Sequence, residues 1–252
     1  APPPNQGISL DNIGLNYSGV LGPLNLKAEL DVQAGSDKAT IPGTERKFKG
    51  NQIVVQASLP MDPVTFNATI ARGSGKAGDD TSSDHKEFQS ILDGDQHYTF
   101  LYEYKTRTAS TDHLASAFGL THTGFANTTA VNVGASMKAG KSLDVALNLW
   151  YLMATEKILN GVGTLSDKVG TEVDAAINWK LYDNLSWNWQ LGYFKPGDAY
   201  KDANGNGTDA ATGAIVASIA RQPPYGLDWP RDGTFFNVAL DVSGQSAIVG
   251  RR

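Results

Sequence analysis

Apolar and polar side chains alternate along most of this chain. Leu143, Val145, Leu147, Leu149 and Tyr151 are separated by polar Ser142, Asp144 and Asn148. The pattern returns in Val173, Ala175, Ile177, Trp179 and Leu181, and again in Leu185, Trp187, Trp189, Leu191 and Tyr193. A period of two predicts strands with one apolar and one polar face. The same spacing marks segments around 13–17, 24–33, 53–59, 64–70, 131–137 and 236–243. Val54 interrupts the polar face of the 53–59 segment.

Alternation suits two architectures. In a soluble antiparallel sandwich the apolar face is the core, whereas in a membrane barrel it meets lipid and the polar face lines a channel. Link lengths favour the barrel. The links at Gly19–Pro23, Pro60–Pro63, Ala139–Lys141 and Tyr182–Asn184 are short. Those at 34–48, 73–127, 156–168 and 196–232 are longer, so short and long alternate as in bacterial outer-membrane barrels. Gln96–Lys105 also alternates, but a single spanning strand there would break this order. Either it belongs to the external segment 73–127, folded toward the pore, which is the favoured reading, or a second strand lies around Leu114–Phe125.

The expected fold is all-β, one domain over 1–252, an antiparallel transmembrane barrel with about nine or ten strands in this chain. Nine is odd, so the chain reads as half of a barrel of about 18 strands, completed by an N-terminal half or by a partner protein. Aromatics near strand ends (Tyr17, Trp150, Tyr151, Trp179, Trp187, Tyr193, Phe194, Phe235) are expected as interface girdles.

Composition narrows the function. The 252 residues include 27 Gly and 11 Pro, as many turns require, and no Cys, which excludes disulfides and thiolate metal sites. No apolar run approaches the roughly 18 residues of a membrane helix. The net charge is −5 without a basic block, so no nucleic acid is expected as partner. Charges sit on the polar faces: Lys27, Glu29, Asp31, Asp144, Glu172, Asp174, Lys180 and Asp241 are expected to line the pore and filter ions.

No catalytic constellation emerges. Glu172 and Asp174 are about 7 Å apart on one strand face, and a wet channel lining explains them better than a glycosidase pair. The four histidines, His85, His97, His113 and His122, have no zinc-site spacing and read as solvated loop residues. Asp202, Asn204 and Asn206 match the opening of a calcium loop, with Asp209 as a further oxygen donor, although Gly213 stands where the bidentate Glu is expected. A structural calcium there is the one cofactor considered.

Three stretches carry a family resemblance. Lys168–Asp174 (KVGTEVD), Asn178–Leu185 (NWKLYDNL) and Leu191–Tyr200 (LGYFKPGDAY) resemble, in this order, the C-terminal part of alginate-export-type porins; Gly22–Glu29 looks like a hairpin of that family. The resemblance implies an outer-membrane barrel of about 18 strands. Family exporters line their pores with Arg and Lys, whereas the set here is mixed and leans acidic. The expected activity is passage of small hydrophilic solutes or oligosaccharides across a bacterial outer membrane, without enzymatic chemistry. The alternatives are a barrel that serves as a sleeve around a protein partner, and a soluble carbohydrate-binding sandwich.

Overall fold

A computed structural model describes residues 7–38, 44–90, 98–102, 109–112, 124–182, 185–201, 214–221, 236–241 and 248–251, the last three segments as backbone. The strands are β1 (Ile8–Leu21), β2 (Leu24–Asp37), β3 (Arg46–Lys47), β4 (Asn51–Met61), β5 (Val64–Gly73), β6 (Thr128–Lys138), β7 (Leu143–Leu159), β8 (Leu165–Tyr182), β9 (Leu185–Pro196), β10 (Ala214–Arg221), β11 (Phe236–Asp241) and β12 (Ile248–Arg251). They form one 12-stranded antiparallel sheet in chain order, with β3 paired only to the end of β2. A 3₁₀ turn spans Asp198–Tyr200. Among the described residues, no helix is long and apolar enough to cross a membrane.

Neighbour-to-neighbour order follows from tight turns. Leu21 pairs with Leu24 across Gly22–Pro23, where Gly22 takes a positive φ of 60° that suits glycine. Met61 likewise pairs with Val64. Each turn fixes the register, and because side chains repeat every two residues, register decides which face a residue occupies.

One face carries the apolar set: Leu15 is 72 % exposed, Ile70 59 %, Leu147 56 % and Tyr193 57 %. The other face is polar toward the tight turns and buried toward the long links. Its apolar core joins Ala71, Ala130, Trp150, Leu152, Ala154, Val169 and Phe194 from the strands to Leu101, Tyr102 and Ala109 from segment 74–127. The core of this protein therefore lies between sheet and loop.

Several expectations change. Strand β10 runs through the expected loop 196–232. Its sequence AIVASIAR is small and apolar at both parities, which mutes the period-two signal. Strands β7 and β8 extend to Leu159 and Leu165, so the link read as 156–168 shrinks to 160–164. A last strand, β12, follows the expected end of the sheet. Together with the two-residue β3, these bring the strands among the described residues to twelve. Trp150 and Phe194 are buried on the loop-covered face and belong to no exposed girdle. Val54, the break in the polar pattern, packs partly buried against the same core.

Candidate functional site

The site is the polar face of the sheet where the described parts of segment 74–127 (74–90, 98–102, 109–112 and 124–127) pack against it. Two anchors hold the segment down, one over β7–β9 and one beside β2–β3.

Over β8, the backbone N–H groups of Phe100 and Leu101 donate to Glu172 Oε1 at 2.8 and 2.6 Å, and that of Tyr102 donates to Oε2 at 2.9 Å. Three consecutive amides converging on one carboxylate form an anion-binding nest made by the chain itself. Charge-assisted bonds of this kind are the stronger class of protein hydrogen bond. Glu172 stands on this face by ordinary pairing with Trp150 and Phe194; beyond it the register shifts past Gly170, which has φ of 151°, and Val169 is buried as well. The Tyr102 hydroxyl shares a hydrogen bond with Thr128 Oγ1 and accepts one from the N–H of Ala109. Tyr98 stacks on Phe125, with ring centroids 4.2 Å apart, and meets Trp150 edge-on at 5.5 Å. In Tyr98–Tyr102 the alternating aromatics thus serve loop packing, not strand pairing.

The second anchor centres on His85. Its ring is 1 % exposed and stacks on Phe48 at 4.7 Å. Nε2 lies 3.1 Å from Asp37 Oδ2, and Nδ1 lies 3.3 Å from Asp112 Oδ1. Arg46 bridges the same carboxylates, 2.6 Å from Asp112 and 3.9 Å from Asp37, and Lys76 stands 3.9 Å from Asp112. Burial works against a charged His85, but the Asp112 and Asp37 carboxylates outweigh it and raise its pKa above the ordinary value. Beside it, burial pushes the Glu87 carboxyl up, while Ser110 and Thr111 donate to it and hold it partly down. Gly50 permits this close docking, since a Cβ there would lie 2.8 Å from the backbone of both Glu87 and Phe88. The reading of His85 as a solvated loop residue is therefore corrected; nothing in its spacing announced a cage built from β2, β3 and the loop. His97, His113 and His122 lie outside the described residues.

The expected pore-lining set divides by depth. Lys27, Asp144 and Lys180 are exposed on the polar face, and Glu29 is half-buried there. Asp31 is 4 % exposed and accepts from Asn12 and Gln52. Glu172 and Asp174 are 0 and 1 % exposed, beneath the loop. These three are thus buried on the polar face, Asp31 among Asn12 and Gln52 and Glu172 under the loop amides that donate to it. Asp241 occupies the row Asn148–Asp174–Gly192–Ala214–Asp241 by register, with its side chain outside the description. Asp202, Asn204, Asn206 and Asp209 all lie outside the described residues. No cluster of three or more metal-ligating side chains occurs among the described residues.

No family model and no curated protein matches the sequence. Among solved structures, the chain is similar to a NanC porin, with a TM-score of 0.40 and 10 % identity over 84 % of this chain and 72 % of that one. It is also similar to the FrpB iron transporter from Neisseria meningitidis, with a TM-score of 0.44 and 11 % identity over 93 % of this chain. The chain spans only 33 % of that transporter's length. Likenesses this low assign neither a family nor a substrate.

Proposed function

We propose that the sheet is part of the wall of an outer-membrane β-barrel channel for small hydrophilic solutes, narrowed at one end by segment 74–127. The observation that carries this reading is the inverted sheet. A row of large apolar side chains, among them Ile13, Leu15, Ile70, Leu147 and Tyr193, faces outward, while carboxylates and amides share the other face with the core beneath the loop. In water, an apolar face built from Ile13, Leu15, Ile70, Leu147 and their neighbours would far exceed the few hundred Å² that soluble monomers expose. Lipid removes that cost. It also demands that every backbone amide be paired, so the edge strands β1 and β12 must pair with each other or with further strands of a closed barrel.

A second reading is favoured by the loop core. The described parts of the loop touch one end of the polar face from β2 to β9, as a plug does. The proposed channel then conducts only through the space the loop leaves, and a sealed barrel conducts not at all. Alginate is not favoured as cargo, because Lys27, Lys138 and Lys180 share the polar face with Glu29 and Asp144 instead of presenting a cationic track.

Reconstitution of the purified protein into planar bilayers tests the reading. Discrete conductance steps are the expected result. A protein that resists carbonate extraction and yet gives no conductance is a plugged barrel, and one released by carbonate is not a membrane barrel.

A further inference from the structure

Below the loop the polar face is arranged in rows across the sheet, and their chemistry changes with depth. The row directly under the loop is apolar, Val54–Ala71–Ala130–Leu152 by register. Two residues further toward the tight turns it becomes Gln56–Thr69–Asn132–Trp150–Glu172. The next row is Ser58–Asn67–Gly134–Asn148–Asp174. Nearer the turns, Gln190 pairs with Ala176, and Asn188 with Asn178.

The amides are held in place. Asn67 Nδ2 donates to Asn132 Oδ1 at 3.1 Å and to Asn148 Oδ1 at 3.0 Å, bridging β5 to β7 across β6. The bridge passes over Gly134, where a Cβ would lie 2.7 Å from Asn67 Nδ2. Asn132 Nδ2 also donates to the Leu149 carbonyl at 3.2 Å. The opposite charges Lys138 and Asp144 face each other in the register. Small residues, Ala146 and Ala176, leave room beside Asn178, Asn188 and Gln190.

Such a surface favours one ligand chemistry. A primary amide presents a donor and an acceptor in one plane, the complement of two adjacent hydroxyls that each donate and accept. It gives no Coulombic advantage to either sign of ion, unlike rings of charge. Preformed amide-to-amide bonds reduce the ordering that binding must otherwise supply. We propose that this amide-lined band binds neutral polyhydroxylated solutes, a mono- or disaccharide, by hydrogen bonding as they cross. The proposal rests on the channel reading.

Liposome swelling of the reconstituted protein tests it, with a neutral disaccharide compared with a sugar acid and an amino sugar of similar size. The neutral sugar is expected to enter at least as fast as both and to block the ion current on titration. Asn67→Leu with Asn148→Leu, checked for insertion by carbonate extraction, should weaken that block about tenfold, equivalent to about 1.4 kcal/mol. Should that pair fail to insert, Asn188→Asp keeps shape and adds charge, and is expected to weaken the block in the same direction. Entry of either charged sugar about tenfold faster than the neutral one overturns the solute class and leaves the channel standing. Block unchanged in the variants overturns the amide band as its binding site. An inserted protein that admits no solute overturns the channel reading and this proposal with it.

Discussion

The N–H of Leu101 donates to Glu172 Oε1 at 2.6 Å, joining residues 71 positions apart and fastening the long loop to the wall behind it. Phe100 and Tyr102 donate to the same carboxylate, so one side chain satisfies three loop amides. Removing it leaves three buried donors without their acceptor. Hydrogen bonds to charged groups contribute about 1.5–3 kcal/mol each, so Glu172→Ala is expected to weaken loop docking by roughly 3 kcal/mol or more. Glu172→Gln, which keeps one acceptor oxygen, should cost less. Protease cleavage within segment 74–127 and single-channel conductance should both rise, Ala above Gln. Unchanged cleavage in Glu172→Ala would show that the aromatic packing alone holds the loop.

The His85 cage predicts a pH dependence in the same loop. Its pKa is raised in the folded state. The contribution is thus fully present below the unfolded value of about 6.5 and is lost as pH rises through the folded value. The raised Glu87 carboxyl acts in the same direction, from the ordinary carboxylate value upward. Asp84 opposes at the acid end: its hydrogen bond with Lys49 lowers its pKa, so its contribution is lost only as pH falls through that lowered value. Hydrogen-exchange protection at residues 84–89, taken relative to the intrinsic base-catalysed rate, should accordingly be greatest in mild acid and fall above neutral pH. In His85→Gln the neutral-to-alkaline change should shrink. A wild-type profile that is flat between mild acid and mild alkali contradicts the charged cage.

Asn127 ties the end of the loop to β7. It sits at a φ of 47°, donates to the carbonyls of Ala109 and Glu156, and accepts from the Glu156 N–H. Asn127→Ala removes these bonds and places a Cβ residue in the left-handed region, for an expected loss of about 2–3 kcal/mol. Asn127→Gly loses the bonds without the backbone strain and should recover about 1 kcal/mol of that. Urea titration of the reconstituted protein separates the two, and equal midpoints for both variants would show that the left-handed backbone adds nothing.

Neighbouring positions on β7 test which side faces lipid. Leu147 points outward and is 56 % exposed, whereas Ala146 lies on the opposite, polar face. Leu147→Arg should destabilise the inserted protein by about 2–4 kcal/mol, as cations do at the bilayer midplane of barrel walls. Ala146→Arg should cost far less. The reverse order in a folding titration into lipid would exchange the two faces.

Alternation in segments such as Leu24–Gln33 and Leu143–Tyr151 sufficed to read the strands, because period two reflects a half-apolar environment that each strand carries along its own length. Link lengths made neighbour pairing legible as well. Segment 214–221 was not legible, since a strand of small apolar residues shows no contrast between its faces. Glu172 appeared as one more charge on a polar face, and Trp150 as one more aromatic near a strand end. Nothing local to either reports the loop that covers them.

The sequence by itself thus determined most of the strands, their neighbour-to-neighbour order and the alternation of faces along each, all properties of short stretches of chain. Only the tertiary structure decided that the polar face is divided by depth, with a dry end sealed by Leu101, Tyr102 and the His85 cage and an amide-lined end below. That division depends on contacts between residues many tens of positions apart. Burial there comes from the loop's own side chains, which no periodicity in the strands can reveal.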